Sequence, residues 1–477
     1  MKHITHSKRN QQLALLTATL GFGLFLSACG ATPAPAPTPP SPTEQAATPA
    51  PETPTPAEEV DTPERDLGGM VITLGNWWGD YDTATSTAES TFDIARLEMR
   101  RAAEQRYNFT IQERAIGGWA EYQEIMINSI LAGEPVATAF FSSIPWFTAA
   151  QSQNLFAPID WDFSDRSMVP WMEAIREATT VAGNTYGFMH GYLLAPGIFF
   201  NTRLLQDAGL NPEEPFDLLM AGNWTWAEFE RIVRATTRDL DNNGVIDTWG
   251  FSASPGWTLP GFVYSNMAYY VGRDAQGNLY DGSQSPNFFE ALSFAMSLYT
   301  EGLVFPQGDG GWDWFMDAFV NGTTAMTTGF TWHSPMYEEQ MSDVIGFIPF
   351  PKGPQATRHN FPTYYSLFGI AHQYAERTDD IMFALSHWWA TPEGFEDPDA
   401  WVVEFLPMFS HPRSITDSIA NFNRNQDLLQ FELHRFVPGY SATALFDDRM
   451  WADGLDASTI IAESELVIAS ILADANN

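Results

Sequence analysis

Asp239, Asp241, Asn243 and Asp247 occupy positions 1, 3, 5 and 9 of one short stretch, with Gly244 at position 6. Oxygen-bearing side chains at alternating positions around a tight turn can converge on one hard cation. With the Val245 carbonyl at position 7, this is the order of the first nine positions of an EF-hand-type calcium loop. Position 12, where such a loop supplies a bidentate Glu, is Gly250. The expectation is Ca2+ held in a local structural role; the bland alternative is a solvated turn closed by its own Asx side chains. A second group of residues is aromatic. Trp77 and Trp78 lie between Asn76 and Asp80, Trp257 within the loop expected over Pro255–Pro260, and Trp312 and Trp314 in a Gly- and Asp-rich loop entering a helix. Trp332 follows Thr328–Thr331, and Tyr364 and Tyr365 precede an apolar run. Flat rings beside planar polar groups suit a ligand with apolar C–H faces and a rim of hydroxyls, such as a sugar. Aromatics in loops and at strand ends are the better candidates. Trp226, Trp388 and Trp389, on predicted helices, and Trp249, at a strand, are expected in the core.

Other chemistry finds little support. The chain has no Gly-x-Ser-x-Gly elbow and no phosphate-binding loop, and beyond His3 and His6 in the basic start its nine His do not pair at helical spacing. Asp309, Asp313 and Asp317 could be cast as a glycosidase pair, but with 59 acidic residues such proximity carries little information. Catalysis is therefore not expected. The formal net charge is −36, which argues against nucleic acid, since that needs basic patches to release counterions. Aromatics make up 14% of the chain, including 17 Trp, more than an acidic soluble body needs for its core alone.

The first residues have a different job. Lys2, Lys8 and Arg9 precede a mostly apolar stretch, Leu13 to Phe25, too short to span a bilayer stably, and Leu26-Ser-Ala-Cys29 follows. Those four residues resemble the lipobox of bacterial lipoproteins, which implies cleavage before Cys29 and a diacylglycerol on its thiol. Cys29 is the one cysteine of the chain, so structural disulfides are excluded. Two acyl chains give the double anchor that stable attachment needs. Eleven of the 32 prolines then fall between Pro33 and Pro63, a composition that stays extended and solvated. The expectation is a signal peptide over 1–28 and a disordered linker over 29–67, lifting a body off the outer face of the cell membrane.

The elements that must position the site alternate. Strands are predicted at Gly69–Gly75, Phe109–Gln112 and Ala137–Phe141, and helices at Thr91–Tyr107, Trp119–Leu131 and Trp146–Asn154. Alternation predicts an α/β body with a largely parallel sheet. Thr225 with Glu228 has capping-box spacing before another helix. Further helices are expected at Phe288–Glu301, Trp312–Asn321 and Asp379–Ala390, and strands at Phe347–Phe350 and Ser366–Ile370. The length beyond the linker exceeds what one core organises, so two lobes are expected.

Several segments in order resemble the extracellular solute-binding proteins of ATP-driven (ABC) sugar importers, the maltodextrin-binding type. They are Tyr186-Gly-Phe through Asn201 to Leu210, Trp224–Phe229, Ala318–Met326 followed by Trp332, Gly346–Pro354, and His387–Gly394. The resemblance runs over roughly 69–396. It implies the periplasmic-binding-protein-like fold, two α/β lobes around a ligand cleft. The chain would cross between the lobes near Ala195, near Ser366 and around Phe405. The lobes would be 68–194 plus 366–405, and 195–365 plus 406–477. It also implies a carbohydrate ligand, membrane permease subunits as partners, and Trp332 as the ring that stacks on sugar. The body is expected to be a monomer. A peptide or polyamine is the rival ligand, and an adhesin without a permease is a third reading.

Overall fold

The computed structural model describes residues 65–88, 90–165, 167–169, 171–190, 196–307, 313–363, 366–396, 402, 406–420, 429–451 and 454–476. The signal, Cys29, the Pro-rich stretch to 64, Trp312, Tyr364 and the crossings near Ala195 and Phe405 lie outside the described residues.

In chain order the strands of the two main sheets begin with β1 (Met70–Asn76), β2 (Tyr81–Asp82), β3 (Phe109–Ala115), β4 (Ala139–Ser143) and β5 (Gly187–Phe188). They continue with β6 (Pro196–Asn201), β7 (Trp249–Ser252), β8 (Thr324–Phe330), β9 (Ile345–Pro349) and β10 (Ser366–Ile370). The helices used below are α1 (Thr91–Tyr107), α2 (Trp119–Leu131), α3 (Ile144–Gln151), α4 (Trp226–Thr236), α5 (Pro255–Ser265), α6 (Pro286–Thr300), α7 (Trp314–Val320), α8 (Thr378–Trp388) and α9 (Ala457–Ala475).

The strands form two sheets, β2-β3-β1-β4-β10-β5 and β9-β6-β8-β7, and helices cover them in an α/β body. Local sequence explains why. The Ser90 hydroxyl accepts the Asp93 N–H at 3.0 Å and starts α1, while Asn108 closes it in the left-handed conformation. In α2, Tyr122, Met126 and Ile130 recur every four residues and are all buried, one stripe against the sheet. The Thr225 hydroxyl accepts the Glu228 N–H at 3.4 Å at the start of α4. The first sheet buries Ile72, Leu74, Ile111 and Ile370 with Trp388 of α8. The second buries Ile198, Phe200, Phe251 and Met326 among Trp224, Trp226, Phe229 and Phe262. Trp226, Trp388 and Trp389 are buried, as helix-borne aromatics should be.

The sheets are less parallel than the alternation predicts. β3, β1 and β4 are parallel neighbours, and β7 is parallel to β8. β10 runs antiparallel to β4, and β6 antiparallel to both β8 and β9. The reason lies in the crossings. A strand that enters a lobe from the junction must run away from it, whereas strands feeding the turns at the junction run toward it.

Two further expectations change. Pro255–Pro260 was expected to be a loop but is the first half of α5, with Pro255 in the first turn, where a missing N–H costs nothing. The body also begins before residue 68. Leu67 is 6% exposed in the first core, and the Arg65 guanidinium pairs with Asp379 and Asp380 of α8. Among the described residues, no helix is long and apolar enough to cross a membrane.

Candidate functional site

The carboxyl ends of the parallel strands define one edge of each sheet. In the first sheet Asn76 of β1 lies opposite Ala115 of β3, and Ser143 ends β4 beside Ser366, the first residue of β10. In the second, Phe330 ends β8 beside Pro196, the first residue of β6. Both edges therefore sit where the chain passes between the sheets, the crevice in which open α/β folds bind ligands.

Each parallel strand of the first sheet ends in a turn that carries tryptophan. β1 delivers Trp77 and Trp78, β3 leads to Trp119 at the start of α2, and β4 leads to Trp146 in the first turn of α3. Trp77 is the hub. Its ring meets Trp78, Trp119 and Trp146 edge-on, with centroids 5.2, 4.9 and 5.6 Å away. Buried Asn76 shapes the turn, accepting the N–H groups of Trp78 (2.9 Å) and Gly79 (3.0 Å) on Oδ1. Trp77 is half-buried, whereas Trp78 is 57% exposed. Asp80 is exposed, and one of its carboxylate oxygens accepts the Ala115 N–H at 2.9 Å, tying this turn to β3.

The second sheet repeats the arrangement. β8 leads into Thr331–His333, a 3₁₀ turn, and Trp332 there is 42% exposed. β7, parallel to β8, leads into α5 with Trp257. The Ser254 N–H donates to Thr328 Oγ1 at 3.3 Å and binds the two strand ends together. Trp257 is half-buried, its ring edge-on to Phe330 at 5.1 Å and to His333 at 5.2 Å. His333 lies stacked on Trp332 with centroids 3.6 Å apart. Its Nδ1 accepts the Phe330 N–H at 2.9 Å, and burial pushes its pKa down to about 3, so the ring beside Trp332 is neutral. Trp314 packs in α7 against Phe305 and Phe315.

The acidic loop stands at the amino end of β7, away from this edge. Carboxylate oxygens of Asp239, Asp241 and Asp247 lie within 4.8 Å of one another. Asp239 accepts the Asn243 N–H (3.1 Å) and the Gly244 N–H (2.7 Å), and Asp247 accepts that of Leu240 (2.7 Å). The Gly244 N–H foremost holds the Asp239 carboxyl below its usual range. The Val245 N–H donates to Asn243 Oδ1, and Gly244 has φ +89. A Cβ at Gly250 would lie 2.1 Å from the Val233 carbonyl oxygen, so position 12 cannot carry a ligand side chain. The three carboxylates fit a cation with an incomplete protein shell.

Of the expected site residues, Trp77, Trp78 and Asp80 gather on one edge and Trp257 and Trp332 on the other, while Trp312 and Tyr364 lie outside the described residues. Sequence reasoning missed Trp119 and Trp146. Their signal was position: each stands at the first turn of a helix that follows a parallel strand.

The matched family model is "Bacterial extracellular solute-binding protein", over residues 98–409. No curated protein sequence matches. Among solved structures, the GacH receptor of Streptomyces glaucescens, described unliganded and with acarbose, is similar at TM-score 0.57 and 15% identity, covering 85% of this chain and 99% of that one. UgpB of Mycobacterium tuberculosis, in complex with glycerophosphocholine, is similar at 0.60 and 15%, covering 85% and 100%. The cyclic alpha-maltosyl-1,6-maltose binding protein of Arthrobacter globiformis is similar at 0.59 and 13%, again covering 85% and 100%. With the family model matching well over half its length, the chain belongs to the bacterial extracellular solute-binding family.

Proposed function

We propose that this protein is the membrane-anchored binding component of an ABC transporter, and that it captures a carbohydrate, an oligosaccharide, between its lobes and delivers it to the permease. One observation carries the ligand class: parallel strands of both sheets end in turns that bring tryptophan to the junction edge. Rings at the strand ends of both sheets can stack on the faces of a sugar, and closure around it removes the ligand from water. Of the similar structures, one is described in complex with acarbose and another is named for binding cyclic alpha-maltosyl-1,6-maltose. In this reading the protein binds without catalysis, acts as a monomer, and hangs from a lipid on Cys29 through the Pro-rich stretch. The Asp239–Asp247 loop holds calcium in a structural role, remote from the ligand.

A second reading has its own support. Indole faces also attract organic cations, and a chain of net charge −36 favours them. The similar UgpB structure is described with glycerophosphocholine.

Thermal unfolding of the purified protein separates the two. A ligand that binds the folded state alone adds about 2.7 kcal/mol at a concentration of 100 Kd. The expected result is a higher Tm with one saccharide series and none with choline, glycerophosphocholine, spermidine or peptides, the shift being lost in Trp332→Ala. A shift with the cations or peptides alone would end the carbohydrate assignment while leaving the family intact.

A further inference from the structure

Trp119 is a large apolar side chain left 52% exposed, unlike Trp224 and Trp388, which are fully buried. Its ring rests on Trp77 and Trp146 and leaves the rest of its surface open to solvent on the junction edge. Its placement is built. Gly117 precedes it where a Cβ would lie 2.6 Å from Ile125 Cδ1, so the turn can fold down onto α2 and bring the ring against Trp77. Trp78 leans edge-on against Phe141 at 5.0 Å, whereas Trp119 leans on Trp146 at 4.3 Å. Trp77 meets both exposed rings edge-on, Trp78 at 5.2 Å and Trp119 at 4.9 Å. Exposed Glu121 stands in the same first turn of α2 and can accept hydroxyl hydrogens beside the ring.

We propose that Trp119 is a second stacking platform of this edge, so that the ligand is a glycan of at least two sugar residues, one on Trp78 and the next on Trp119. This rests on the carbohydrate reading above. A single sugar ring covers one platform and leaves the other exposed, whereas a second residue covers it. Affinity then rises steeply from mono- to disaccharide, and Trp119 is what makes it rise.

Titration calorimetry of the full-length chain tests this with glucose and with the di- to tetrasaccharides of the α-1,4, α-1,6 and β-1,4 glucans. The expected result is a rise of tenfold or more in affinity on adding the second residue within one series. Trp119→Ala should abolish that rise and leave glucose affinity within about twofold, while Trp119→Phe keeps most of it. An unchanged length dependence in Trp119→Ala overturns the platform and leaves the sugar reading standing. So does an equal loss for glucose and the longer sugars, which marks a packing role. Affinity independent of length overturns it too. If no saccharide binds, the carbohydrate reading itself falls and takes this inference with it.

Discussion

Asp447 is buried between the Tyr270 and Thr443 hydroxyls, which donate to its two oxygens at 3.2 Å each. Burial pushes its pKa up to about 7, with the Arg435 charge and these hydrogen bonds opposing the rise. The folded state therefore holds a proton that the unfolded chain releases near pH 4. Stability contributed by that proton is present below pH 4 and is lost as pH rises from 4 to 7. In Asp447→Asn the group cannot ionise, so the variant should match the parent near pH 4 and exceed it by one to a few kcal/mol at pH 8 (~1.36 kcal/mol per pK unit). Melting curves of the two proteins across this range read the difference directly. The buried Glu432 is raised too, and the buried His333 and His434 are lowered, but these act on parent and variant alike and cancel in the comparison. A constant offset at all pH values would mean that Asp447 is ionised throughout in the folded state.

At the scale of elements, legibility followed local chemistry. α1 and α2 have the bounds the sequence predicts, because the Ser90 cap marks the first and a four-residue apolar spacing the second. α5 was not legible, because Pro255 and Pro260 read as breakers although the first lies in a helical first turn, and Pro260 is tolerated inside the helix. Trp119 and Trp146 were passed over because aromatics on helices usually face a core. A first-turn position after a parallel strand faces the sheet edge instead, which needs the register to see. The acidic loop was legible in spacing, and its missing twelfth ligand has a packing cause: β7 runs so close to the end of α4 that Gly250 has no room for a side chain. A site with three carboxylates and no bidentate Glu should bind calcium weakly, at the millimolar end of the EF-hand range. Adding millimolar calcium to chelator-treated protein should raise Tm by a few degrees, and Asp239→Asn or Asp241→Asn should remove that rise. Equal melting with calcium and with chelator would leave the loop as an Asx-closed turn.

For the whole molecule, the alternation of strand and helix was enough to read an α/β body, but not strand directions, which depend on where the chain crosses. Nor does composition alone mark Arg65 and Leu67 as part of the folded body, since they directly follow the Pro-rich stretch. Arg65 already belongs to that body. Its guanidinium pairs with Asp379 and Asp380 and lies 4.9 Å over the Phe383 ring, the Leu67 N–H donates to the Tyr107 carbonyl at 2.9 Å, and the Leu67 side chain enters the first core. Burying a leucine contributes about 1.5–3 kcal/mol, while a partly exposed ion pair adds about 0–1 kcal/mol, so the apolar contact dominates. Chains beginning at residue 65 and at residue 68 should both fold, but the shorter one should melt several degrees lower, and Leu67→Ala in the longer chain should reproduce most of the loss. Arg65→Ala should cost much less and become indistinguishable from the parent at high salt, where exposed ion pairs are screened. Equal melting of the two chain lengths would place the boundary after Leu67, where composition alone puts it. The order of these losses decides whether residues 65–67 merely adjoin the first core or are anchored into it by one leucine.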